Sequence, residues 1–267
     1  MHIMKFSIVT ISYNQVRFLE HAIRSVIDQK GVEIEYIVVD PGSTDGSRDL
    51  LDRYRDRIDT LILAPDSGPA DGLNNGFAVA TGDVFGFLNA DDELLPDALA
   101  CVEDAFDKHP CADVISGCGY AVDEFGARLR PIVPTTLTPW LYAHGGVTVF
   151  QQGTFFKADY FRKVGGFNRD NRTCWDGELF LDMVLKGARF MTIGNDLASF
   201  RLHDASITGS GRLEQNYRID TARLFEKALG RKQVQRDIFS APLARCAKWF
   251  AEPAYLPRRL ARLSFGR

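Results

Sequence analysis

Three adjacent carboxylates, Asp91, Asp92 and Glu93, stand just after a short apolar segment over residues 84–88. Neighbouring carboxylates repel one another, so their placement needs a compensating interaction. Asp40 closes a second apolar run in the same way. Carboxylate oxygens suit hard ions such as Mg²⁺ or Mn²⁺, and Mg²⁺ is usually held by one or two carboxylates together with substrate phosphates. The pattern therefore predicts a divalent-metal site that receives a phosphate-bearing ligand.

A long stretch without basic side chains surrounds these carboxylates. Residues 58–107 contain eleven Asp or Glu and no Lys or Arg, and they include Asp66 and Asp71 in a loop rich in Gly and Pro. A cleft built from this stretch takes either a cation or an anion accompanied by a divalent metal. The structural alternative is that the acidic triplet decorates a helix N-terminus, where the helix dipole favours negative charge.

Strand and helix patterns alternate through the first 110 residues. We predict strands over 5–11, 34–40, 58–63 and 84–88, and helices over 15–29, 48–56, 71–80 and 96–109. Such alternation predicts an α/β fold with a Rossmann-like, doubly wound, mostly parallel sheet and right-handed crossovers. Ligands of open α/β sheets bind outside the carboxyl ends of the strands, so the carboxylates that follow the strands are expected to share one cleft.

The pattern changes after residue 113, where a small antiparallel region is expected. We predict a strand pair with a Gly-containing turn over 113–126, a strand and a short helix within 148–167, a helix over 177–187, and late strands over 189–193 and 197–203. Helices and a basic tail follow from residue 212. The predicted organisation is a donor half over 1–115, an acceptor and catalytic half of the same domain over 116–230, and a C-terminal tail over 231–267.

Composition narrows the class of protein. The chain of 267 residues has 45% hydrophobic and 25% charged residues, close to a globular average, and it has no apolar run long enough for a membrane span. No signal peptide pattern is present at the N-terminus. Its five cysteines contain no C-x-x-C pair, which argues against a disulfide framework or a zinc cluster and fits a reducing cytosol.

An ordered set of motifs resembles the family 2 nucleotide-sugar glycosyltransferases, which have the GT-A fold. The motifs are TISYNQVRFLEHAIRSVIDQ, IEYIVVDPGSTDGS, DSGPADGLNNGFAVATGD and FLNADDELLP, and WDGELFLDMVLKG and FRLHDASIT extend the match. The resemblance covers roughly residues 4–205. It implies a nucleotide-sugar donor, with UDP the commonest nucleotide of the family, and a Mg²⁺ or Mn²⁺ cofactor.

The resemblance also implies roles for the residues of the donor site. Asp40 would contact the base or ribose, and Asp71 would bind the nucleoside or donor sugar. Asp92 would be a metal ligand in a variant D-x-D motif, with Asp91 near the ribose or sugar. His203 would approach the metal or diphosphate. The base would also lie near three further residues, Thr10, Ser12 and Tyr13.

On the acceptor side, Asp176 matches the catalytic base of the family. Its position before a predicted helix leaves a simple N-cap as the alternative. Glu178 is the runner-up base, Trp175 is a candidate for stacking on an acceptor sugar, and Gln152 resembles a position near the acceptor. A base on one face of the sugar and a leaving diphosphate on the other predict inversion at the anomeric carbon by a single displacement.

The tail suggests where the enzyme works. Residues 231–267 carry a net charge of +7, so the remainder of the chain carries −10. Basic amphipathic segments suit an anionic membrane surface, and family members that extend polyprenyl-linked glycans work at the cytoplasmic face of the membrane. A helix packed on the domain is the alternative. Nucleic-acid binding is disfavoured because the rest of the chain is acidic.

Two other functions compete with sugar transfer to a glycan of the bacterial cell surface. A sugar-nucleotide nucleotidyltransferase would carry a basic, Gly-rich phosphate loop after the first strand, where SYNQVRFLEH stands instead. A non-catalytic nucleotide- or glycan-binding module would not need both the acidic pair and Asp176. We also interpret the segment ASITGSG, residues 205–211, as a lid over the donor or a plain exposed loop.

Overall fold

The computed structural model describes residues 4–204 and 214–264. In these parts of the chain, nine strands form one sheet. The strands are β1 (Lys5–Ile11), β2 (Glu33–Val39), β3 (Thr60–Ile62), β4 (Val84–Asn89), β5 (Glu93–Leu94), β6 (Val114–Val122), β7 (Arg128–Ile132), β8 (Thr154–Lys157) and β9 (Phe190–Arg201). The predicted lid segment 205–211 lies outside the described residues.

The sheet order is β3-β2-β1-β4-β8-β6-β9-β5, with β7 paired to β6. The first four strands are parallel, β8 runs antiparallel to both β4 and β6, and β6 and β9 are parallel. The predicted α/β class with a mostly parallel sheet and a small antiparallel region is confirmed. The sheet is continuous from the predicted donor half into the predicted acceptor half.

Helices cover both faces of the sheet. They are α1 (Val16–Ile27), α2 (Ser47–Arg53), α3 (Pro69–Val79), α4 (Ala98–Lys108), α5 (Pro139–Ala143), α6 (Ala158–Val164), α7 (Trp175–Leu185), α8 (Glu214–Leu229), α9 (Ser240–Ala251) and α10 (Tyr255–Ser264). One buried cluster packs α1 and α4 on the sheet, and a second packs α3, α6 and α7 on the opposite face. Strands buried on both faces explain the nearly continuous apolar runs in the sequence.

The register of the central strands aligns the residues that follow them. Ile11 of β1 lies opposite Val39 of β2 and Asn89 of β4. The ladder continues one step further, because Ser12 N–H donates to Val39 O and Ala90 N–H donates to Ile11 O. Ser12, Asp40 and the acidic loop after β4 are therefore neighbours at one edge of the sheet, as predicted from the strand pattern.

Several predicted elements differ from those observed. The strand pair expected over 113–126 is one long strand, β6, whose antiparallel partner β7 follows the turn. The two late strands merge into β9, which tolerates the polar residues between them through irregular register against β6. Strand β5 and helix α5 were not predicted, since each is too short to give a periodic signal.

Candidate active site

Asp40 organises the loop that follows β2. Its Oδ1 accepts hydrogen bonds from the backbone N–H of Gly42 and Ser43, at 3.0 and 2.8 Å, and from Arg48 Nε at 3.1 Å. The side chain is fully buried. One oxygen of this carboxylate is thus used to shape the loop.

The other oxygen of Asp40 has no hydrogen-bond donor among the described residues. Asp40 Oδ2 and Ser12 Oγ are buried atoms that lack a hydrogen-bond partner within the described residues. Buried polar groups are nearly always paired, so unpaired ones at a strand edge indicate a ligand that supplies the missing partners. Both atoms follow adjacent strands, β2 and β1, in register.

Thr10 and Tyr13, also expected near the nucleotide base, differ in their exposure to solvent. The Thr10 side chain is buried in β1, and its Oγ1 accepts a hydrogen bond from the Tyr36 hydroxyl at 3.0 Å. Its side chain is thus engaged within the protein, between β1 and β2. Tyr13 is 62% exposed, so its ring has the freedom to cover a bound base. The donor-binding roles of both residues stay predictions.

Asp71 lies in the first turn of α3 and is held by two partners. Its Oδ2 accepts from Ser67 N and Oγ, both at 2.9 Å, and its Oδ1 accepts from Arg169 Nε at 2.5 Å. These hydrogen bonds, first that of the Ser67 N–H, lower the pKa of Asp71. Arg172 Nη1 also donates to Ser67 O at 2.5 Å. Two arginines from a distant loop therefore approach the acidic segment that itself lacks basic residues.

The carboxylates near Asp71 share one electrostatic environment. Burial raises the pKa of Asp66; the Gly68 N–H opposes this shift, and the charges of Asp71 and Asp40 add to it. Arg48 Nη2 donates to both Asp40 O and Leu63 O, at 3.0 and 3.1 Å, so the loops after β2 and β3 meet in one acidic region, as the sequence predicted. The groove beside this region is lined by residues 67–71 together with Arg169, Asn171, Arg172 and Trp175.

Asp91, in the loop after β4, pairs with His203, which lies two residues beyond β9. Asp91 Oδ2 lies 2.9 Å from His203 Nε2, and both side chains are mostly buried. The imidazole packs against the Phe18 ring, with 4.8 Å between ring centroids. A carboxylate oxygen and an imidazole nitrogen are both metal-ligating groups, so this pair could hold one divalent ion if the ion replaced their direct hydrogen bond.

Asp92 is bound by the protein on both oxygens. Oδ1 accepts from the Arg201 backbone N–H at 2.9 Å, and Oδ2 accepts from Gln152 Nε2 at 2.8 Å and Asn89 Nδ2 at 3.1 Å. Burial, and next the charge of Asp91, raise the pKa of Asp92 well above its usual range. This arrangement favours Asp91 over Asp92 as the metal ligand, and it gives Gln152 a partner on the donor side.

Arg201 ties the acidic loop together, and no pattern in the sequence indicated this role. Its Nε donates to Asp91 O at 2.9 Å, its Nη1 donates to Asp123 O and Glu124 O, and its Nη2 pairs with Glu93. The residue is buried. One guanidinium therefore offsets the repulsion among the adjacent carboxylates, a role that the sequence analysis assigned to a metal alone.

Asp176 lies in the first turn of α7, one residue inside the helix, and so is not its N-cap. Its Oδ1 accepts from the Gly177 backbone N–H at 2.8 Å. Burial raises the pKa of this carboxyl above its ordinary value. A carboxylate with a raised pKa and with no cationic hydrogen-bond partner in the described parts of the chain is suited to accept a proton.

Trp175 and Glu178, also on α7, have structural contacts. The Trp175 ring packs on Phe87 of β4 and on Phe167, with centroids 5.6 and 5.5 Å apart, while part of its surface stays in the groove. Glu178 is buried and accepts hydrogen bonds from Arg223 and Lys227 of α8, each at 2.6 Å, and from Asn171 Nδ2 at 2.7 Å. Glu178 thus joins α7 to α8, which disfavours it as a base.

Comparison with known proteins identifies the family. The family model described as glycosyl transferase family 2 matches residues 7–167. The chain belongs to glycosyl transferase family 2. The resemblance drawn from the sequence motifs is thereby confirmed, and every carboxylate discussed above except Asp176 and Glu178 lies within the matched segment.

Two curated relatives agree with this assignment to family 2. An uncharacterized glycosyltransferase of Nostoc sp. is 30% identical over 216 residues, which span 76% of this chain and 66% of that protein. A putative teichuronic acid biosynthesis glycosyltransferase of Bacillus subtilis, TuaG, is 35% identical over 114 residues, which span 42% of this chain and 45% of that protein. Both relatives are thus named as glycosyltransferases, and one is named for teichuronic acid biosynthesis.

Solved structures of glycosyltransferases confirm the GT-A fold. Staphylococcus aureus TarS 1-349 in complex with UDP-GlcNAc aligns with a TM-score of 0.69 and 17% identity, covering 97% of this chain and 73% of that chain. The mannosyltransferase PcManGT of Pyrobaculum calidifontis, in complex with GDP-Man and Mn²⁺, aligns with a TM-score of 0.66 and 18% identity, covering 99% of this chain and 75% of that chain.

In this glycosyltransferase, no helix of the described segments is long and apolar enough to cross a bilayer. The described residues also contain no group of three or more His, Cys, Asp or Glu side chains that could bind a metal ion by themselves. A metal at Asp91 and His203 would thus need further ligands from a substrate, which is the usual arrangement for Mg²⁺ bound with phosphates.

Replacing Arg201 by methionine is expected to destabilise the fold by about 3–5 kcal/mol, because it removes the buried partner of Glu93 and leaves three backbone carbonyls without their hydrogen-bond donor. Urea denaturation measures the loss. Arg201→Lys is expected to recover little of it, since a lysine cannot donate to several acceptors in one plane. Arg130→Met, at an exposed position of β7, is the matched control and should change stability by no more than about 0.5 kcal/mol.

Glu178→Gln is expected to lower the free energy of unfolding at neutral pH and to make it less dependent on pH. Burial alone would raise the Glu178 pKa, but hydrogen bonds from Arg223, Lys227 and Asn171 outweigh it and lower the value from 4.5 to about 2. The stabilisation is therefore present above pH ~4.5 and is lost as the pH falls towards about 2; two to three pKa units correspond to about 3 kcal/mol.

Urea denaturation of both proteins between pH 7 and 3 tests this prediction. The wild type should lose stability towards pH 3, and Glu178→Gln should start lower at pH 7 and depend less on pH. Glu226→Gln, at an exposed position of α8, is the control and should follow the wild type. Parallel curves for wild type and Glu178→Gln would contradict the assignment.

Proposed function

We propose that this family 2 enzyme is an inverting, metal-dependent hexosyltransferase that moves a sugar from UDP-sugar to a hydroxyl of a cell-surface glycan. The single observation that carries the proposal is the arrangement along one sheet edge. An unpaired buried carboxylate oxygen follows β2, and the carboxylate of Asp91, which follows β4, is paired with the imidazole of His203. A nucleotide with a diphosphate would satisfy both, its base at Asp40 and its diphosphate, with a metal, at Asp91.

The residues present fit a divalent cofactor, Mg²⁺ or Mn²⁺. Asp91 and His203 would hold the ion as an oxygen and a nitrogen ligand, and the donor's diphosphate would supply further oxygens. The ion would offset negative charge on the departing diphosphate. Asp92, bound by Asn89, Gln152 and Arg201, would then fix the shape of the loop. This assignment gives Asp91 the metal-ligand role that the sequence analysis gave to Asp92. The relative PcManGT, solved with Mn²⁺, agrees with such chemistry.

Asp176 is the general base of the proposal. Its half-buried position, its raised pKa and the absence of a cationic partner among its described hydrogen bonds suit a group that takes a proton from the acceptor hydroxyl. The hydroxyl oxygen would form the new bond to the anomeric carbon as the bond to the diphosphate oxygen breaks. Attack opposite the leaving group inverts the configuration, with no covalent enzyme intermediate.

The proposed contact between Asp40 and the nucleotide base predicts that Asp40→Asn changes the preference for UDP over CDP. A uracil N–H would donate to the free Oδ2 of Asp40, whereas the corresponding nitrogen of cytosine is an acceptor. The substituted amide would keep its oxygen on the Gly42 and Ser43 N–H groups and turn its N–H₂ to the base. We expect affinity for UDP to fall on the order of 10-fold or more and the preference for UDP over CDP to narrow, since an unsatisfied buried donor costs about 1–3 kcal/mol.

Calorimetric titration of UDP and CDP, each with Mn²⁺, measures that preference. Asp49→Asn, the same change at an exposed position of α2, is a suitable control and should bind both nucleotides like the wild type. An unchanged UDP-to-CDP ratio in Asp40→Asn would mean that the base binds elsewhere, and a GDP- or dTDP-sugar donor would then be tested first.

We propose an acceptor of polysaccharide or polyprenyl-linked glycan type, consumed at the cytoplasmic face of the membrane. The named role of the relative TuaG and the basic C-terminal segment support this acceptor class. The partly exposed Trp175 beside the groove offers a stacking surface for a sugar ring. The proposal gives Glu178 no role on the acceptor side, because Arg223 and Lys227 bind its carboxylate. Gln152 is given a structural role instead, as a hydrogen-bond donor to Asp92.

A thermal-shift screen of sugar nucleotides with Mn²⁺ or Mg²⁺ tests the function, because a ligand that binds the folded state raises its melting temperature. The donor found is then incubated with and without candidate acceptors, and release of the nucleoside diphosphate is measured. Stabilisation and diphosphate release together support glycosyl transfer. Stabilisation without any release indicates a binding module, and release of inorganic pyrophosphate from sugar phosphate and UTP indicates a nucleotidyltransferase.

A further inference from the structure

Helix α10 is amphipathic, but its charged face is turned towards the protein. Arg258 Nη1 donates to Thr192 Oγ1 at 2.8 Å and pairs with Glu252, and Arg262 Nε pairs with Asp196 at 2.6 Å. Tyr255, one turn before Arg258, is buried. The polar side chains that would normally face water thus anchor the helix to β9 and to the segment before it.

The apolar face of α10 is turned towards solvent. Leu256, Leu260 and Leu263 are spaced i, i+4 and i+7 and therefore form one helical stripe. All three are exposed, Leu260 at 64%. A helix that packs on a domain buries its apolar stripe, so this helix has the opposite orientation to that expected of a simple surface helix.

Helix α9 has a similar exposed stripe. Phe239, at its start, is followed by Leu243, Cys246 and Phe250 at i+4, i+7 and i+11, which again form one face. Each of these residues is exposed, Phe250 at 86% and Phe239 at 77%. On the other side, Ala244 is fully buried, and its carbonyl lies against Gly146. Two consecutive helices thus present apolar stripes to solvent.

The charge that accompanies these stripes has one sign. The two acidic residues of segment 231–264 are buried in ion pairs, Asp237 with Arg231 and Glu252 with Arg258. The exposed ionisable side chains of the described segment are therefore basic, and they include Lys232, Arg236, Arg245 and Arg259. Trp249, an amphipathic aromatic residue, is also exposed.

We propose that the exposed faces of α9 and α10 form a docking surface for an anionic lipid bilayer. Aromatic and leucine side chains enter the interface between headgroups and acyl chains, while the surrounding Lys and Arg contact lipid phosphates. The enzyme would thus lie on the membrane without crossing it, where a lipid-linked acceptor would be presented. The surface is independent of the donor site, so it can be tested whether or not the proposed transfer reaction is correct.

A second copy of this chain is a poorer occupant of the same surface. A two-fold contact would bring the two basic segments together without an exposed acidic partner among the described residues of the segment, and like charges in contact are repulsive. Anionic lipid provides both the apolar phase and the complementary charge.

Co-sedimentation with phosphatidylcholine vesicles, with and without 30% phosphatidylglycerol, tests the proposal using the full chain. We expect binding to the anionic vesicles, weak binding to neutral ones, and loss of binding as NaCl rises from 0.05 to 0.5 M. Lys232→Gln/Arg236→Gln/Arg245→Gln should weaken binding on the order of 100-fold, since each basic residue near an anionic surface contributes about a 5-fold factor. Phe239→Ser/Phe250→Ser and Leu260→Ser/Leu263→Ser should each weaken it by roughly 10-fold or more.

The controls change the same residue types elsewhere. Phe125→Ser removes an aromatic side chain that is 80% exposed, and Lys30→Gln/Arg53→Gln/Arg55→Gln removes three exposed basic side chains from the donor half. Both should bind vesicles like the wild type. Failure of the wild type to bind anionic vesicles, or equal losses in the controls, would overturn the proposal. So would a concentration-dependent dimer in light scattering that the α9 or α10 variants abolish, since a second copy would then cover the surface.

Discussion

Asp176→Asn is expected to reduce sugar transfer by about 10³-fold or more while leaving donor binding intact. A positioned base contributes typically 10²–10⁴-fold to rate. The introduced asparagine would preserve size and the hydrogen bond from the Gly177 N–H, but it cannot accept the acceptor's proton. The donor contacts proposed at Asp40 and Asp91 are unchanged, so the loss should be in kcat and not in donor affinity.

Stability separates this loss from misfolding. Burial raises the pKa of Asp176, so the charged form is less favoured in the folded protein than in the unfolded chain. An ionised Asp176 therefore destabilises the fold at pH values above its ordinary pKa, and the variant with a neutral amide should be as stable as the wild type or more stable at pH 7. Urea denaturation of the variant checks this point.

The pH profile of transfer provides a second readout. The base must be ionised to act, so activity of the wild type should decrease as the pH falls through the raised pKa of Asp176. The residual activity of Asp176→Asn should lack this acidic limb. Donor binding measured by thermal shift, together with transfer rates from diphosphate release, completes the comparison. Normal transfer by the variant would refute the base assignment, and Glu178, clamped by α8, would not be a credible substitute.

Asp91→Asn is expected to remove the metal-dependent part of donor binding and to lower transfer on the order of 10³-fold. A bound divalent ion contributes several kcal/mol of charge stabilisation to a departing group, and each 1.36 kcal/mol corresponds to a factor of ten. The asparagine would lose the negative charge that pairs with the ion. Its backbone carbonyl, which accepts from Arg201 Nε, would keep the loop in place.

Chelation with EDTA should reproduce this effect in the wild type, and added Mn²⁺ should restore activity to the wild type but not to Asp91→Asn. His203→Ala should raise the Mn²⁺ concentration needed for half-maximal activity, because it removes the second protein ligand. Asp92→Asn distinguishes the two carboxylates. If Asp92 shapes the loop, its variant should lose stability more than metal response, whereas a selective loss of metal response in Asp92→Asn would return the metal role to Asp92.

Local sequence patterns were sufficient for the class of fold and for the edge at which the site forms. Apolar runs bounded by loops define β1, β2 and β4, and parallel strands bring the residues after them to one edge. Asp40 and the carboxylates after β4 could therefore be placed together without coordinates. The motif order that identifies the family is also local information, so it can be read from the chain alone.

The two neighbouring carboxylates of the acidic loop could be told apart only in the folded chain. Asp91 and Asp92 are adjacent and chemically identical, and their different environments come largely from residues that are 60 to 112 positions away. The pairing of β5 with β9 carries Arg201 to the loop, and the chain beyond it carries His203 to Asp91. Glu178 likewise is a candidate base until α8 covers it with Arg223 and Lys227.

The orientation of α10 was also set by residues outside that helix. Periodicity shows that α10 has a leucine stripe and an arginine stripe, but it does not show which one faces the domain. The choice depends on Glu252, Thr192 and Asp196, which lie outside that helix and bind its arginines. Local sequence thus sets which side chains share a face, whereas long-range partners set where that face points, since ion pairs and packing form only after the chain is folded.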